Sequence, residues 1–143
     1  MRHGRGKLTD PSGKKYEGEW KLNARHGQGL MTWPDGRSYE GEWSYDKCHG
    51  EGVMKWPNGN EYKGSFINGL RDGNGEMKWA ATGNTFTGRW LQDKRQGEGE
   101  LVYRSGVKFV GNFEQDERVG WGMMEWPSGA RYEGQWVKSK RTG

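Results

Sequence analysis

The chain has 143 residues, of which 26 are Gly, and its formal net charge is only +4. Leu, Ile, Val and Phe together make up about 12% of the residues, a fraction low enough to suggest disorder. The nine Trp, six Tyr and four Phe exclude that interpretation, because disordered chains are poor in aromatic residues and usually carry a large net charge. The composition therefore predicts a folded domain whose buried apolar groups are mainly aromatic rings.

The single cysteine, Cys48, cannot form an internal disulfide, and the first residues lack the apolar stretch of a secretory signal. No apolar run approaches the ~20 residues that span a bilayer. We therefore expect an intracellular protein that does not cross a membrane.

The pattern aromatic-x-Gly-x-aromatic recurs along the whole chain in steps of 23 or 24 residues. It begins at Tyr16, Tyr39, Tyr62, Phe86, Phe109 and Tyr132. A fixed period of this length marks a repeat architecture. We therefore divide the chain, residues 1–143, into one array with a partial repeat at each end, 1–15 and 132–143. The five full repeats are 16–38, 39–61, 62–85, 86–108 and 109–131.

Counting positions within a repeat from its first aromatic residue, 25 of the 26 glycines fall at positions 3, 12, 14 and 21. Position 21 lies in turn dipeptides such as Asp35-Gly36 and Asn58-Gly59. Position 8 carries Asn, Asp or Gly, which also favour turns. Two turns leave two short segments in each repeat. The one step of 24 residues, from Tyr62 to Phe86, contains Ala80-Ala81, which we interpret as an insertion in a turn. Each repeat is therefore predicted to be a β-hairpin.

Both segments alternate with a period of two, which places rings and glycines on one face and mostly polar side chains on the other. Glycine beside a large ring leaves space for that ring to lie over bare backbone. The predicted fold is all-β: an elongated, antiparallel, single-layer meander of stacked 23-residue β-hairpin repeats. A sheet of roughly twelve short strands must twist or curl, so we expect it to form a groove.

The YEGEW segments at Tyr16 and Tyr39, the Arg25-His26-Gly27-Gln28-Gly29 segment and the WPDG and WPNG turns resemble a MORN-repeat array (membrane occupation and recognition nexus). The resemblance covers the whole chain. It implies an elongated all-β module for scaffolding and protein binding, of a kind found in ciliary radial spokes, cytoskeletal scaffolds and membrane junctions. The cytoplasm, the cytoskeleton and the ciliary axoneme are the expected locations, with peripheral membrane association as a further option.

Two candidate binding surfaces follow from the repeat positions. The first is an aromatic groove for a partner helix or extended segment, lined by Tyr39, Trp43, Trp56, Tyr62, Trp79 and Trp90. The second is a row of position-10 arginines facing an anionic partner, comprising Arg2, Arg25, Arg71, Arg95, Arg118 and Arg141. For each surface a structural role is the alternative: the rings pack on one another, and the arginines pair locally with Asp46, Asp93, Asp116 or backbone.

Nothing in the sequence supplies a converging nucleophile, base and orienting group, so we expect a non-catalytic protein with no cofactor. The three histidines lie one repeat apart, too far to share a metal ion, so no metal site is expected. Nucleic acid is not an expected partner, because the aromatic residues follow the repeat and the positive charge is dilute.

The sequence thus predicts a scaffold or protein-interaction module of a larger assembly, ciliary (radial-spoke-like) or cytoskeletal. The alternatives are a peripheral membrane module that binds anionic phospholipid and a regulatory repeat region of a larger enzyme. Neither end of the chain resembles a capping repeat, so we also expect a longer parent array or self-association through open sheet edges.

Overall fold

The computed structural model describes residues 4–137 and 140–141, with side chains described through residue 137. These residues form thirteen β-strands in one antiparallel sheet whose spatial order follows the chain. The strands are β1 (Gly4–Thr9), β2 (Lys15–Lys21), β3 (Ala24–Thr32), β4 (Ser38–Ser44), β5 (Lys47–Lys55), β6 (Glu61–Ile67), β7 (Leu70–Lys78), β8 (Thr85–Leu91), β9 (Lys94–Val102), β10 (Lys108–Glu114), β11 (Glu117–Glu125), β12 (Arg131–Val137) and β13 (Lys140–Arg141). The predicted all-β, single-layer antiparallel meander is confirmed, and the sheet is open.

The seven-residue strands β2, β4, β6, β8 and β10 are each joined to the nine-residue strand that follows by a tight two-residue turn. Leu22 and Asn23 adopt φ angles of 51° and 66°, and Tyr45 and Asp46 adopt 46° and 71°. Two successive left-handed residues match a type I′ turn, whose twist suits the flanking strands of a hairpin. The turn predicted at position 8 is confirmed.

The second turn of each repeat contains the position-21 glycine. In the loop after β3, the Trp33 N–H donates to the Arg37 carbonyl at 2.9 Å and the Gly36 N–H donates to the Trp33 carbonyl at 3.0 Å. Gly36 has a φ of 99°, which a residue with a side chain rarely adopts. The corresponding loop at Ala80 is one residue longer, and there the Gly83 N–H reaches back to the Trp79 carbonyl, as the insertion predicts.

A β-bulge lies in the hairpin formed by the seven-residue and nine-residue strands of each full repeat. Between β4 and β5, Gly41 pairs with Gly52 and Trp43 pairs with Cys48, so Glu42 alone faces three residues of the partner strand. The Glu42 carboxylate accepts a hydrogen bond from the Glu51 N–H at 2.5 Å, which satisfies a donor that the bulge removes from the ladder. The same register shift recurs in the other four full repeats.

A row of glycines crosses the first twelve strands in register, one glycine from each strand. Its members are Gly6, Gly18, Gly29, Gly41, Gly52, Gly64, Gly75, Gly88, Gly99, Gly111, Gly122 and Gly134. A Cβ added at Gly52 or Gly75 would overlap the ring of Tyr39 or Tyr62. The predicted packing of rings over bare backbone is therefore confirmed.

The core of this single layer consists of the position-1 rings and their neighbours on the same face. Tyr39, Tyr62, Phe86 and Phe109 are fully buried. Met54 lies opposite Tyr39 and Tyr62 in the ladder and is buried with them. The sheet thus forms a core on one face without a second layer.

We expect Gly75→Ala to destabilise the protein by about 1–3 kcal/mol, because the new methyl group must displace the Tyr62 ring. Gly6→Ala is the matched control, since a Cβ there meets the Trp20 indole at an ordinary 3.4 Å. Urea unfolding of both variants measures the effect. Equal stability of the two variants would contradict the packing argument.

Candidate functional site

The aromatic rings form one unbroken chain of edge-to-face contacts along the array. The ring at position 1 of each repeat contacts the ring at position 5 of the same repeat. Except in the last repeat, it also contacts the ring at position 5 of the following repeat. Ring centroids lie 5.0–5.9 Å apart with interplanar angles of 77–90°, a geometry that the ring quadrupoles favour. The chain runs Trp20, Tyr16, Trp43, Tyr39, Phe66, Tyr62, Trp90, Phe86, Phe113, Phe109, Trp136, Tyr132.

This packing determines how much of the predicted aromatic groove is accessible. Four of its six residues are buried: Tyr39, Trp43, Tyr62 and Trp90. Trp56 and Trp79 are partly buried and pack against the core cluster. Binding of a partner through this groove stays a prediction, and only these two residues of the set present substantial ring surface to it.

The position-10 arginines lie across the rings and link neighbouring repeats. The Nε atoms of Arg25, Arg71 and Arg95 lie 3.0, 3.1 and 3.2 Å from the carboxylates of Asp46, Asp93 and Asp116. Each guanidinium also donates from Nη2 to the backbone carbonyl of the same aspartate. Each aspartate in turn accepts a hydrogen bond from the backbone N–H of its arginine. We call these three pairs the Arg–Asp ladder.

The same guanidinium groups stack on the position-5 ring of the next repeat. Their Cζ atoms lie 4.9, 4.5 and 4.9 Å from the ring centroids of Trp43, Trp90 and Phe113. Arg118 stacks on Trp136 at 4.4 Å and donates to the Tyr103 hydroxyl at 3.2 Å.

Arg25, Arg71 and Arg95 therefore pair locally with aspartates, which was the structural alternative for this row of arginines. Arg2 and the side chain of Arg141 lie outside the described residues. Binding of an anionic partner by the row stays a prediction.

The ladder is interrupted where Cys48 stands at position 10. The aspartate position of the next repeat holds Gly69, so both members of the ion pair are replaced together. The backbone contact persists, because the Gly69 N–H donates to the Cys48 carbonyl at 2.9 Å. Burial raises the pKa of the Cys48 thiol to about 12, so the thiol stays protonated and unreactive at neutral pH.

The double variant Cys48→Arg/Gly69→Asp should restore this rung of the ladder. Asp is compatible with the backbone there, since Asp46, Asp93 and Asp116 adopt φ near 70° at the same position. We expect a favourable coupling of about 0.5–1 kcal/mol between the two substitutions in a double-mutant cycle measured by urea unfolding. Strict additivity of the two single variants would show that the ladder contributes no pairwise stability.

The acid stability of the ladder can be tested at Asp46. Burial raises the pKa of this carboxyl, but the hydrogen bonds and charge of Arg25 outweigh burial and hold the pKa below its ordinary value of 3.8. A lowered folded-state pKa stabilises the protein above the unfolded-state pKa, and this contribution is lost as the pH falls through the folded-state pKa.

We expect the difference in unfolding free energy between the natural chain and Asp46→Asn to be constant from pH 7 to 5 and to shrink below about pH 4. Urea unfolding across this range measures it. A difference that grows on acidification would contradict the assignment.

The opposite, polar face carries an open depression that the sequence analysis did not predict. It has a volume of about 570 Å³ and adjoins a second depression of about 560 Å³, with Glu51, Lys63 and Gly64 shared between them. We call the two together the outer trough. Its lining residues are Gln28, Ser38, Glu40, Gly41, Glu42, Glu51, Gly52, Val53, Lys55, Glu61, Lys63, Gly64, Asn74, Gly75, Glu76, Thr87 and Gly88.

The outer trough crosses six strands, from β3 to β8, which corresponds to about 24 Å at ~4.8 Å per strand. The alternating residue pattern predicted that this face is polar but did not predict a depression. The depression depends on the curvature of the sheet, which arises from twist and bulges rather than from residue type. The glycine positions were visible in the sequence, but their alignment into one row required the strand register.

Within the described residues, no helix is long and apolar enough to cross a membrane. Among these same residues, no group of three or more His, Cys, Asp or Glu side chains could hold a metal ion.

The repeats, the open sheet and the ring chain define a β-hairpin repeat protein. The MORN-repeat family profile matches residues 1–15, 16–36, 39–61, 62–81, 86–108, 109–131 and 132–143. The chain therefore belongs to the MORN-repeat family, as the sequence resemblance predicted.

A search of curated protein sequences gave no match. Among solved structures, the chain is similar to the TCP domain of SAS-4 (dCPAP) of Drosophila melanogaster, determined in complex with a proline-rich motif of Ana2 (dSTIL). The two are 13% identical with a TM-score of 0.42, over 92% of this chain and 90% of that one. Similarity at this level does not bear on what the present chain binds.

Proposed function

We propose that this MORN-repeat array is a non-catalytic protein-interaction module that binds a partner segment along its outer trough. The observation that carries the proposal is the continuity of the trough over six strands, which gives a binding surface parallel to the long axis of the array. Repeat arrays commonly present such extended surfaces. A polypeptide of seven or eight extended residues spans about 24 Å at ~3.3 Å per residue.

The side chains of the trough suit polypeptide binding. They come from successive strands and point outward, which favours contacts spread along a chain rather than convergence on one reacting atom. The side chains of Glu40 and Glu61 make no hydrogen bond or ion pair within the described residues, and neither do those of Lys55 and Lys63. These charges are available to the polar groups of a partner.

The finer assignment is a scaffold in a ciliary (radial-spoke-like) or cytoskeletal assembly, inside the cell, and its support is the family resemblance. The membrane alternative has less support, because the guanidinium groups of Arg25, Arg71 and Arg95 already have carboxylate and ring partners. As a regulatory repeat region of a larger enzyme, the array would bind its partner through the same outer trough.

Affinity capture from ciliated-cell extract, at low and at ~0.5 M salt, tests the proposal, with anionic liposomes assayed in parallel. We expect one discrete protein to be retained at low salt, to be retained less at ~0.5 M salt because the exposed charges of the trough are screened, and to be lost with Glu40→Lys/Glu61→Lys. The matched variant on the opposite face, Trp56→Ala/Trp79→Ala, should retain it.

The opposite pattern would assign binding to the aromatic groove and contradict the trough. Salt-sensitive liposome binding without a protein partner would overturn the proposal in favour of a peripheral membrane module.

A further inference from the structure

Trp121 is the most exposed large hydrophobic residue in the described part of the chain, with 65% of its surface accessible. It lies on the polar face, paired with the exposed Gln135 of β12. The equivalent position holds a polar or charged residue in the other repeats, namely Arg5, Gln28, Glu51, Asn74 and Glu98. The repeat architecture therefore does not require an aromatic residue here.

Trp121 is part of a narrow apolar strip. Val119 and Met123 precede and follow it by two residues on β11 and share its face, and Val110 on β10 lies directly opposite Met123. Val110 is also exposed. We call these four residues the Trp121 strip. Val119 faces Asn112 and Met123 faces Val110 across the β-bulge, so the strip extends only two residues of β10, about 7 Å at ~3.3 Å per residue, and is one to two strands wide.

Acidic side chains border the strip on both sides. Glu100 lies opposite Val110 and Glu98 opposite Asn112 on the β9 side, while Glu133 lies opposite Met123 on the β12 side. On β9–β12 this face carries six carboxylates and three cations, in a chain that is net positive. They are Glu98, Glu100, Glu114, Glu117, Glu125 and Glu133, with Lys94, Lys108 and Arg131.

Two of those cations are already neutralised within the sheet. Lys108 lies 3.8 Å from Glu100, and Arg131 lies 3.9 Å from Glu125. Glu98 and Glu133, which flank the strip, are exposed and have no ion pair within the described residues. The border of the strip is therefore a negative surface with unneutralised carboxylates.

We propose that the Trp121 strip is a docking site for a basic amphipathic helix of a partner protein. An apolar helix face with residues i, i+3 and i+4 extends about 6 Å, which fits the length of the strip. Lys and Arg on both flanks of such a helix then face Glu98 and Glu133. An exposed Trp is the residue type that most often contributes a large share of interface energy. The strip lies on β10 and β11, outside the outer trough, so this site goes beyond the proposed function.

The charge of the border distinguishes this occupant from others. Carboxylates around the strip repel anionic phospholipid and nucleic acid, whose binding needs positive protein surface. A second copy of the same face would bring carboxylates against carboxylates. A basic helix is the occupant for which both the apolar strip and its border are complementary.

The probe is a fluorescein-labelled 18-residue peptide of Leu and Lys arranged as an amphipathic helix. Fluorescence anisotropy with the full chain should show saturable binding. Trp121→Gln should weaken binding at least tenfold, as should Glu98→Lys/Glu133→Lys. Gln28 occupies the equivalent position in another repeat, so Trp121→Gln is compatible with folding. Leu30→Gln, an exposed apolar residue on the same face but outside the strip, is the matched control and should bind normally.

Equal binding by a Leu–Glu peptide of the same pattern, or by a Leu–Lys peptide with scrambled order, would overturn the proposal. So would unchanged binding by Trp121→Gln, Trp121-dependent binding to anionic vesicles, or Trp121-dependent dimerisation in sedimentation velocity. The trough variant Glu40→Lys/Glu61→Lys separates the two proposals. Loss of the cellular partner in that variant, with no peptide binding to the strip, would leave the proposed function intact and refute the helix site.

Discussion

The structure depends on the contact between an aromatic ring and bare glycine backbone. A single-layer sheet has no second layer to cover its apolar face, so that face must bury its own side chains. The glycine row makes this possible, because rings such as Tyr39 and Phe86 lie against glycines of the adjacent strand, where any Cβ would obstruct them. The edge-to-face contacts then join each repeat to the next. Glycine and aromatic residues are enriched together for this one reason.

The Arg–Asp ladder adds a second connection between repeats on the same face. Each guanidinium covers a ring of the following repeat and pairs with that repeat's turn aspartate, so the aspartate both ends a hairpin and links two repeats. The side chains of Arg25, Arg71 and Arg95 are therefore only 19–21% exposed and cover the edge of the aromatic core. This dual use explains why the turn residue is Asp rather than the more flexible Gly in three of the five described turns of this kind.

Much of the fold was predictable from sequence, because the repeats place the same residue types at the same positions. The period, both turns, the insertion at Ala80 and the ring-over-glycine packing all follow from residue type and spacing. The site was less predictable. The burial of Tyr62 and Trp90 depends on contacts between repeats, and the outer trough depends on twist and bulge geometry. Asp93 was named from the sequence among the local partners of the position-10 arginines, but the stacking of Arg71 on Trp90 depends on how neighbouring repeats pack and was not predicted.

The interruption at Cys48 and Gly69 has a mechanical consequence for the whole array. The free energy of unfolding of a linear repeat protein is approximately the sum of one contribution from each repeat and one from each interface between repeats. An interface without an Arg–Asp pair therefore opens at a lower free-energy cost than an otherwise equal interface that has one. An array under tension yields first at its weakest interface. Of the four interfaces between full repeats, the one between the second and third is without an Arg–Asp pair, and it lies near the middle of the chain. A pulling force would divide the sheet there into two blocks, each still held by its own ladder pair or pairs.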